Sequence, residues 1–203
     1  TEGERRFCRE CLAFGLVTED DFLVARERPL VWNEPVLCRK FPLSPGQKEA
    51  SAFAVSCLEE GVSGFLEAVC GAGKTEILFD FLFSAFRKRF RVAWAIPRRD
   101  IVAELAPRFG EAFPTLVVKA LHAEAKDDAG AHLVVSTIHQ LIRYREEFDW
   151  IVLDEADAFP YRDDPLLHRL LRKALRPQGR LFLLSATTNK EMAASVRLGE
   201  FRR

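Results

Sequence analysis

Residues 68–76, AVCGAGKTE, do most to limit what this chain can become. They follow an apolar run (Phe65, Leu66, Ala68, Val69) and precede apolar residues at helical spacing, so they read as a glycine-rich turn between a strand and a helix. Gly73-Lys74-Thr75 fit the end of the phosphate-loop pattern, with Ala68 standing where the first glycine is usual. Gly71 and Gly73 let successive backbone N–H groups curl around an anion, and a helix starting near Lys74 adds the positive end of its dipole. The expected contacts to a nucleoside triphosphate are Gly71, Ala72, Gly73, Lys74, Thr75 and Glu76. Lys74 would reach the β- and γ-phosphates and the Thr75 hydroxyl would hold Mg²⁺. The plain alternative is a strand–helix turn carrying a surface lysine.

A second stretch weighs against that alternative. Ile151-Val152-Leu153 predicts a buried strand, and Asp154-Glu155-Ala156-Asp157 follows at once. Open α/β sheets bind ligands outside the carboxyl ends of their strands. There Asp154 suits the water shell of Mg²⁺, and Glu155 suits a base that orients and deprotonates an attacking water. An acidic helix cap would account for one carboxylate, but not for this order after a phosphate loop. Ser185-Ala186-Thr187 closes a later apolar run. Lys74, Asp154 and Glu155 are thus the expected catalytic set of an ATP site.

Length allows one substantial core plus a small attachment in 203 residues. Lys+Arg and Asp+Glu are both 30, so the net charge does not advertise a polyanionic partner. Basic residues do cluster locally, at Arg5-Arg6, Arg87-Lys88-Arg89 with Arg91, Arg98-Arg99 and Arg202-Arg203. No apolar run approaches membrane-spanning length, and no signal-peptide pattern opens the chain. Five scattered cysteines favour a reducing, cytoplasmic setting over a disulfide framework.

Residues 1–40 have a texture of their own. Cys8 and Cys11 form a C-x-x-C knuckle, half of a tetrahedral zinc site for which Cys38 is a candidate third ligand. The alternative is a small apolar cap carrying two thiols. Pro29, Trp32, Pro35 and Pro42 predict an extended connector. Ser44-Pro45-Gly46-Gln47 opens a helix whose apolar stripe is Ala50, Phe53, Ala54, Cys57 and Leu58. Gln47 has two compatible roles, closing a capping box with Ser44 and reading the adenine edge with its amide. After the phosphate loop, strand-like runs at 92–96, 116–120, 133–135, 150–153 and 181–184 alternate with helical patterns, one of them opened by Asp164-Pro165. The segment 122–131 is the most loop-like insertion. This alternation predicts an α/β domain over 41–190, a parallel sheet with helices on both faces. Just past two of the strands, Arg98 with Arg99, and Thr137 with Gln140, offer phosphate-binding groups to a nucleic-acid backbone. The alternatives are a solvated helix start and a second capping box.

The ordered set Gln47, AVCGAGKTE, AIPRRDIVAEL (95–105), VVSTIHQLIRY (134–144), VLDEADAFPY (152–161) and LLSAT (183–187) resembles the first motor lobe of superfamily 2 DNA helicases. More closely, it is similar to the ComFA family of late competence proteins, relatives of PriA and the DEAD-box enzymes. The likeness spans nearly the whole chain and includes the C-x-x-C knuckle at the front. It implies a RecA-like lobe, ATP and Mg²⁺ as cofactors, and Zn²⁺ in a cysteine module ahead of the motor. It also implies ATP-driven translocation on single-stranded DNA during natural transformation. Other DNA-uptake proteins would be partners, and the setting would be the cytoplasm at the inner face of the membrane. By position, Asp157, Ser185 and Thr187 would couple the nucleotide site to the DNA site.

The chain departs from that family twice. It has one cysteine pair of the expected zinc module, and no second lobe with its arginine finger follows Thr187, so 191–203 read as the start of a linker. An arginine finger is worth roughly 10³–10⁵ in rate. The chain alone is therefore expected to bind ATP weakly and hydrolyse it barely. Two further readings share some of these features: a PriA-like or DEAD-box helicase acting in replication or on RNA, and a partner-docking module with a vestigial ATP site.

Overall fold

The computed structural model describes residues 18, 29–69, 71–121, 130–157, 165–188 and 190–203. The predicted alternation becomes a six-stranded sheet in the order β1-β6-β5-β2-β4-β3, every neighbouring pair parallel. The strands are β1 (Gly64–Glu67), β2 (Val92–Ile96), β3 (Val118–Leu121), β4 (Leu133–Thr137), β5 (Phe148–Leu153) and β6 (Leu175–Ser185). The helices are α1 (Pro45–Glu60), α2 (Lys74–Ile77), α3 (Phe79–Arg87), α4 (Arg99–Ala112), α5 (Pro165–Ala174) and α6 (Lys190–Arg197), with a 3₁₀ helix at Ile138–Arg143.

Strand β2 shows why both faces are covered. All five residues of VAWAI are buried. Alternation sends Val92, Trp94 and Ile96 into the core beneath α1, α3 and α4, and sends Ala93 and Ala95 into the core beneath α5 and the 3₁₀ helix. The first core is aromatic: Phe81 meets Trp150 edge-on at 5.1 Å and Phe182 at 5.2 Å, and Trp94 meets Phe109 at 4.9 Å. Cys57 lies fully inside it, where burial pushes its thiol up to about 11.

Ser44 and Gln47 form the predicted capping box, and Gly61 closes α1 in the left-handed conformation at φ 66°. Strand β6 begins six residues ahead of the predicted 181. Pro177-Gln178-Gly179 looks like a turn, but a bulge carries the pairing through it, from Phe148 opposite Leu175 to Trp150 opposite Arg180. A side chain at Gly179 would come 2.9 Å from the Phe148 carbonyl, so only glycine fits there.

The predicted connector is extended and works as a strap. Val36 N–H and Asn33 Nδ2 donate to Thr115, whose hydroxyl donates to the Glu34 carbonyl, and Cys38 N–H donates to Ala112. Trp32 stacks on His132 at 4.5 Å. His132 Nδ1 accepts from Val117 N–H, so Nε2 carries the proton and donates to the Val31 carbonyl. The strap then delivers Arg39 to α2 and α3, where it donates to the Glu76 carbonyl and pairs with Asp80. Residues 191–203 complete α6 and bring Arg202 onto the free edge of β1, bridging Gly64.

Several of the basic clusters are internal ties. Arg91 is buried, bonded to Glu147 and the Ala131 carbonyl and lying over the Tyr144 and Phe148 rings. Lys88, Arg202 and Arg203 pair with Glu59, Glu60 and Glu67. Arg5-Arg6, Cys8, Cys11, residues 122–129 and Asp164 lie outside the described residues.

Burial, helped by the nearby Arg91 charge, holds His132 below the ordinary histidine range, against the Val31 carbonyl, which favours the charged ring. The unfolded chain therefore binds this proton at higher pH than the folded one does. Stability contributed by His132 is complete above about pH 6.5 and is lost as pH falls through its lowered native value. Denaturant titrations across pH 5–8 should show wild-type stability falling toward acid, and a shallower fall in His132→Gln. An equal slope in both would contradict this role.

Candidate nucleotide site and its nucleic-acid face

Parallel pairing brings the carboxyl ends of β1, β6 and β5 to one edge of the sheet, through Glu67 opposite Ser185 and Leu153 opposite Leu183. The phosphate-type loop leaves β1 there, and the acidic turn leaves β5 there, with one strand between them. Both are pinned to the sheet. Ala68 N–H donates to Ser185, Asp154 N–H to Ala95 and Ala156 N–H to Leu184, each at 2.9 Å.

The loop is shaped for an anion and braced from outside. Gly71 and Gly73 take φ of 80° and 74°, the left-handed region. At Gly73 a methyl would fall 2.8 Å from Gln47 Nε2, so that approach too is reserved for glycine. Gln47 donates Nε2–H to the Ala72 carbonyl at 2.8 Å, and its Oε1 accepts from Ser44 N–H. One amide hydrogen and one lone pair of Gln47 remain for a ligand edge. Lys74 Nζ donates to the Ala68 carbonyl at 3.1 Å, folding the ammonium back over the loop, and Thr75 is buried at the first turn of α2. Glu76 is tied into the fold around the loop. Its carboxylate pairs with Arg108 and its carbonyl accepts from Arg39, which makes it a strut between the loop, the strap and α4. Beside it opens a cleft of about 330 Å³, lined in part by Arg39, Phe41, Phe79 and Arg108.

Asp154 is only 8% exposed. Burial pushes its carboxyl above the ordinary range, opposed by the Lys74 charge and by the Glu155 N–H, which donates to Oδ1 at 3.0 Å. Glu155 holds φ of 55°, a left-handed conformation that a glutamate adopts only when its surroundings impose it. Asp157 sits next to Thr187, whose hydroxyl donates to Oδ2 at 2.7 Å. Burial would raise the Asp157 carboxyl, but hydrogen bonds from Thr187, Ser185 and the backbone outweigh it and hold the group below the usual carboxylate range. Ser185 Oγ accepts from Thr187 N–H at 3.2 Å. The structure thus places Lys74 and Asp154 at one edge of the sheet and joins Asp157, Thr187 and Ser185 in one hydrogen-bonded group.

The expected nucleic-acid residues share this edge, since Ile96 is opposite Thr137. Arg98 precedes α4 and its exposed guanidinium grips Asp100, at 2.6 and 3.3 Å; Arg99 opens the helix, exposed. Thr137 caps no helix with its side chain, and Gln140 Oε1 is buried without a hydrogen-bond partner, so the capping-box alternative does not form. Sequence reasoning missed Arg39, Arg108 and Trp94. Only Trp94 left a signal, an N–H-bearing ring inside a strand of otherwise aliphatic residues.

The donor set fits a magnesium-bound triphosphate: a glycine cradle, a lysine, a buried threonine and a buried carboxylate around one strand end. Residues 44–195 match the DEAD/DEAH box helicase family, and the chain belongs to that family. It is similar to the competence protein ComFA of Bacillus subtilis strain 168, with 38% identity over 198 residues, 96% of this chain and 42% of that protein. ComFA of Streptococcus pneumoniae R6 is 32% identical over 197 residues, 97% of this chain and 45% of that one. The chain spans less than half the length of either relative. The Sulfolobus solfataricus SWI2/SNF2 ATPase core in complex with dsDNA aligns at a TM-score of 0.64 over 79% of this chain and 35% of its own, with 17% identity, which shows the RecA-like fold. Among the described residues no group of three or more His, Cys, Asp and Glu is arranged to hold a metal, and no helix is long and apolar enough to cross a membrane.

A carboxylate whose pKa is raised by folding stabilises the protein fully only below its unfolded value, about pH 3.9, and that contribution is lost as pH rises through the folded value. At pH 7 the charged Asp154 therefore works against the fold. Asp154→Asn should raise the Tm of the nucleotide-free chain at pH 7, by roughly 2–4 °C for each 1 kcal/mol relieved. A lower Tm would show that the carboxylate is well compensated where it lies.

Proposed function

We propose that this chain is the ATP-binding lobe of a motor that moves single-stranded DNA, acting in DNA uptake. The carrying observation is the placement of the Lys74 loop and of Asp154 at one sheet edge, with Asp157 and Thr187 hydrogen-bonded to each other at that edge. Bound Mg²⁺·ATP supplies the electrophilic phosphorus and the cation that offsets its charge. Lys74 would leave the Ala68 carbonyl for the β- and γ-phosphates, while Thr75 and Asp154 hold the cation. Glu155 would orient the attacking water and accept its proton, and Gln47 would meet the adenine with the donor and acceptor it keeps free. Asp157, Ser185 and Thr187 would pass a change at the phosphate to the face carrying Arg98, Arg99, Thr137 and Gln140. Kinship with proteins named for competence supports single-stranded DNA entering the cell as the substrate, and a cytoplasmic motor at the inner membrane face as the setting. Cys8 and Cys11 would hold Zn²⁺ together with ligands beyond this pair, and metal analysis of the longer protein tests that separately.

In a protein carrying both motor lobes, ATP turnover should rise with single-stranded DNA more than with duplex DNA or RNA. Lys74→Ala and Glu155→Gln should each reduce that turnover to background, with Glu155→Gln still binding nucleotide. Undiminished turnover in both variants, or stimulation by RNA alone, would overturn the assignment. Arg98→Ala with Arg99→Ala should weaken single-strand binding without regard to sequence and flatten the dependence of log K on log salt by up to about 0.7 for each phosphate no longer neutralised. An unchanged salt slope would remove this face from the DNA path.

A further inference from the structure

Trp94 is fully buried in the middle of β2, and its indole Nε1–H makes no hydrogen bond. A buried donor without an acceptor is a standing penalty, so its direction matters. Trp94 is directly opposite Val152 on the neighbouring strand. Both side chains enter the aromatic core. Asp154, two residues beyond Val152, continues the same alternation, and its N–H still bonds to Ala95, so the ladder runs as far as the carboxylate. The indole therefore lies beneath the Asp154 side chain, on the same side of the sheet. Oδ1 already has the Glu155 N–H.

We propose that Trp94 is a positioning residue for the metal-binding carboxylate: its indole N–H completes a hydrogen bond to Asp154 when the magnesium-bound nucleotide is in place, and so fixes the carboxylate's orientation. This rests on the nucleotide reading of the site above. The Glu155 N–H holds Asp154 Oδ1 from the turn, and the Trp94 indole is a donor placed toward it from the core side. A ring locked against Phe109 at 4.9 Å cannot follow a mobile partner, so the carboxylate turns to the indole, and the bond forms in one rotamer only.

The test reads the indole N–H directly. Trp32, Trp94 and Trp150 give three indole resonances in ¹H–¹⁵N spectra of this chain, and Trp94→Phe assigns the one of interest; if that variant does not fold, Trp32→Phe and Trp150→Phe assign it by elimination. Calorimetry first establishes whether Mg²⁺·ADP binds. If nothing binds up to millimolar levels, the nucleotide reading fails, and this proposal with it. If it binds, the Trp94 indole proton should move downfield by about 0.3 ppm or more with Mg²⁺·ADP, much less with ADP in EDTA, and the other two should stay near their starting positions. Nucleotide binding with a stationary Trp94 resonance would overturn the positioning role while leaving the nucleotide site standing. Trp94→Phe, which keeps an aromatic ring but no donor, should raise the Mg²⁺ concentration needed for half-maximal nucleotide binding about three- to tenfold, with metal-free ADP affinity unchanged. An equal loss with and without metal would mark Trp94 as packing only.

Discussion

A carboxylate kept almost out of water at the end of a parallel strand, faced by a lysine from the loop two strands away, is the constraint on which this molecule turns. Each neighbouring strand adds about 4.8 Å, so the loop after β1 and the turn after β5 start roughly 10 Å apart across β6. That gap is too wide for a direct ion pair between backbone-fixed groups. It suits a long lysine reaching toward a carboxylate with charged oxygens and a cation between them. The order β1-β6-β5 sets this spacing, and it comes from the later strand inserting between two earlier ones. Burial raises the cost of the Asp154 charge, and the Lys74 charge offsets part of it. On the proposed reading, a divalent cation would offset the rest.

The turn that carries Asp154 stores strain as well as charge. Glu155 in the left-handed region costs of order 1–3 kcal/mol, a conformation held by the bonds of Asp154 to Ala95 and of Ala156 to Leu184 on either side. The phosphate-type loop is held in a comparable way by side chains from outside it. Gln47 fixes the Ala72 carbonyl, while Arg39 and Arg108 hold Glu76 from the strap and from α4. The strap links His132 to the phosphate-type loop, because the same run of residues that sets Trp32 against His132 ends at Arg39 on Glu76 and Asp80.

Much of this was legible in the residues because local rules and global packing agree. The Ser44–Gln47 box, the wholly apolar strands at 92–96 and 150–153, and the glycines at 71 and 73 each have one easy conformation, and the structure adopts it. The start of β6 was not legible. Pro177-Gln178-Gly179 carries turn chemistry that is overridden by a bulged pairing to β5, a tertiary effect with no local trace. Thr137 and Gln140 carry capping-box spacing, but the segment tightens into a 3₁₀ helix and the box is not made. Arg39 and Arg108 were invisible because their importance depends on α4 and the strap meeting at Glu76, residues far apart in the chain. Arg91, grouped with Arg87-Lys88-Arg89 as a local basic cluster, is a core residue because two aromatic rings and Glu147 enclose it.

The most direct measurement is a crystal structure of this chain with a non-hydrolysable ATP analogue and Mn²⁺, the metal located by its anomalous scattering. The metal should lie against the Thr75 hydroxyl and within one water of Asp154, with Lys74 released from the Ala68 carbonyl onto the terminal phosphates. A nucleotide seated elsewhere, or a metal peak remote from both Thr75 and Asp154, would contradict the shared site on which the whole functional reading stands.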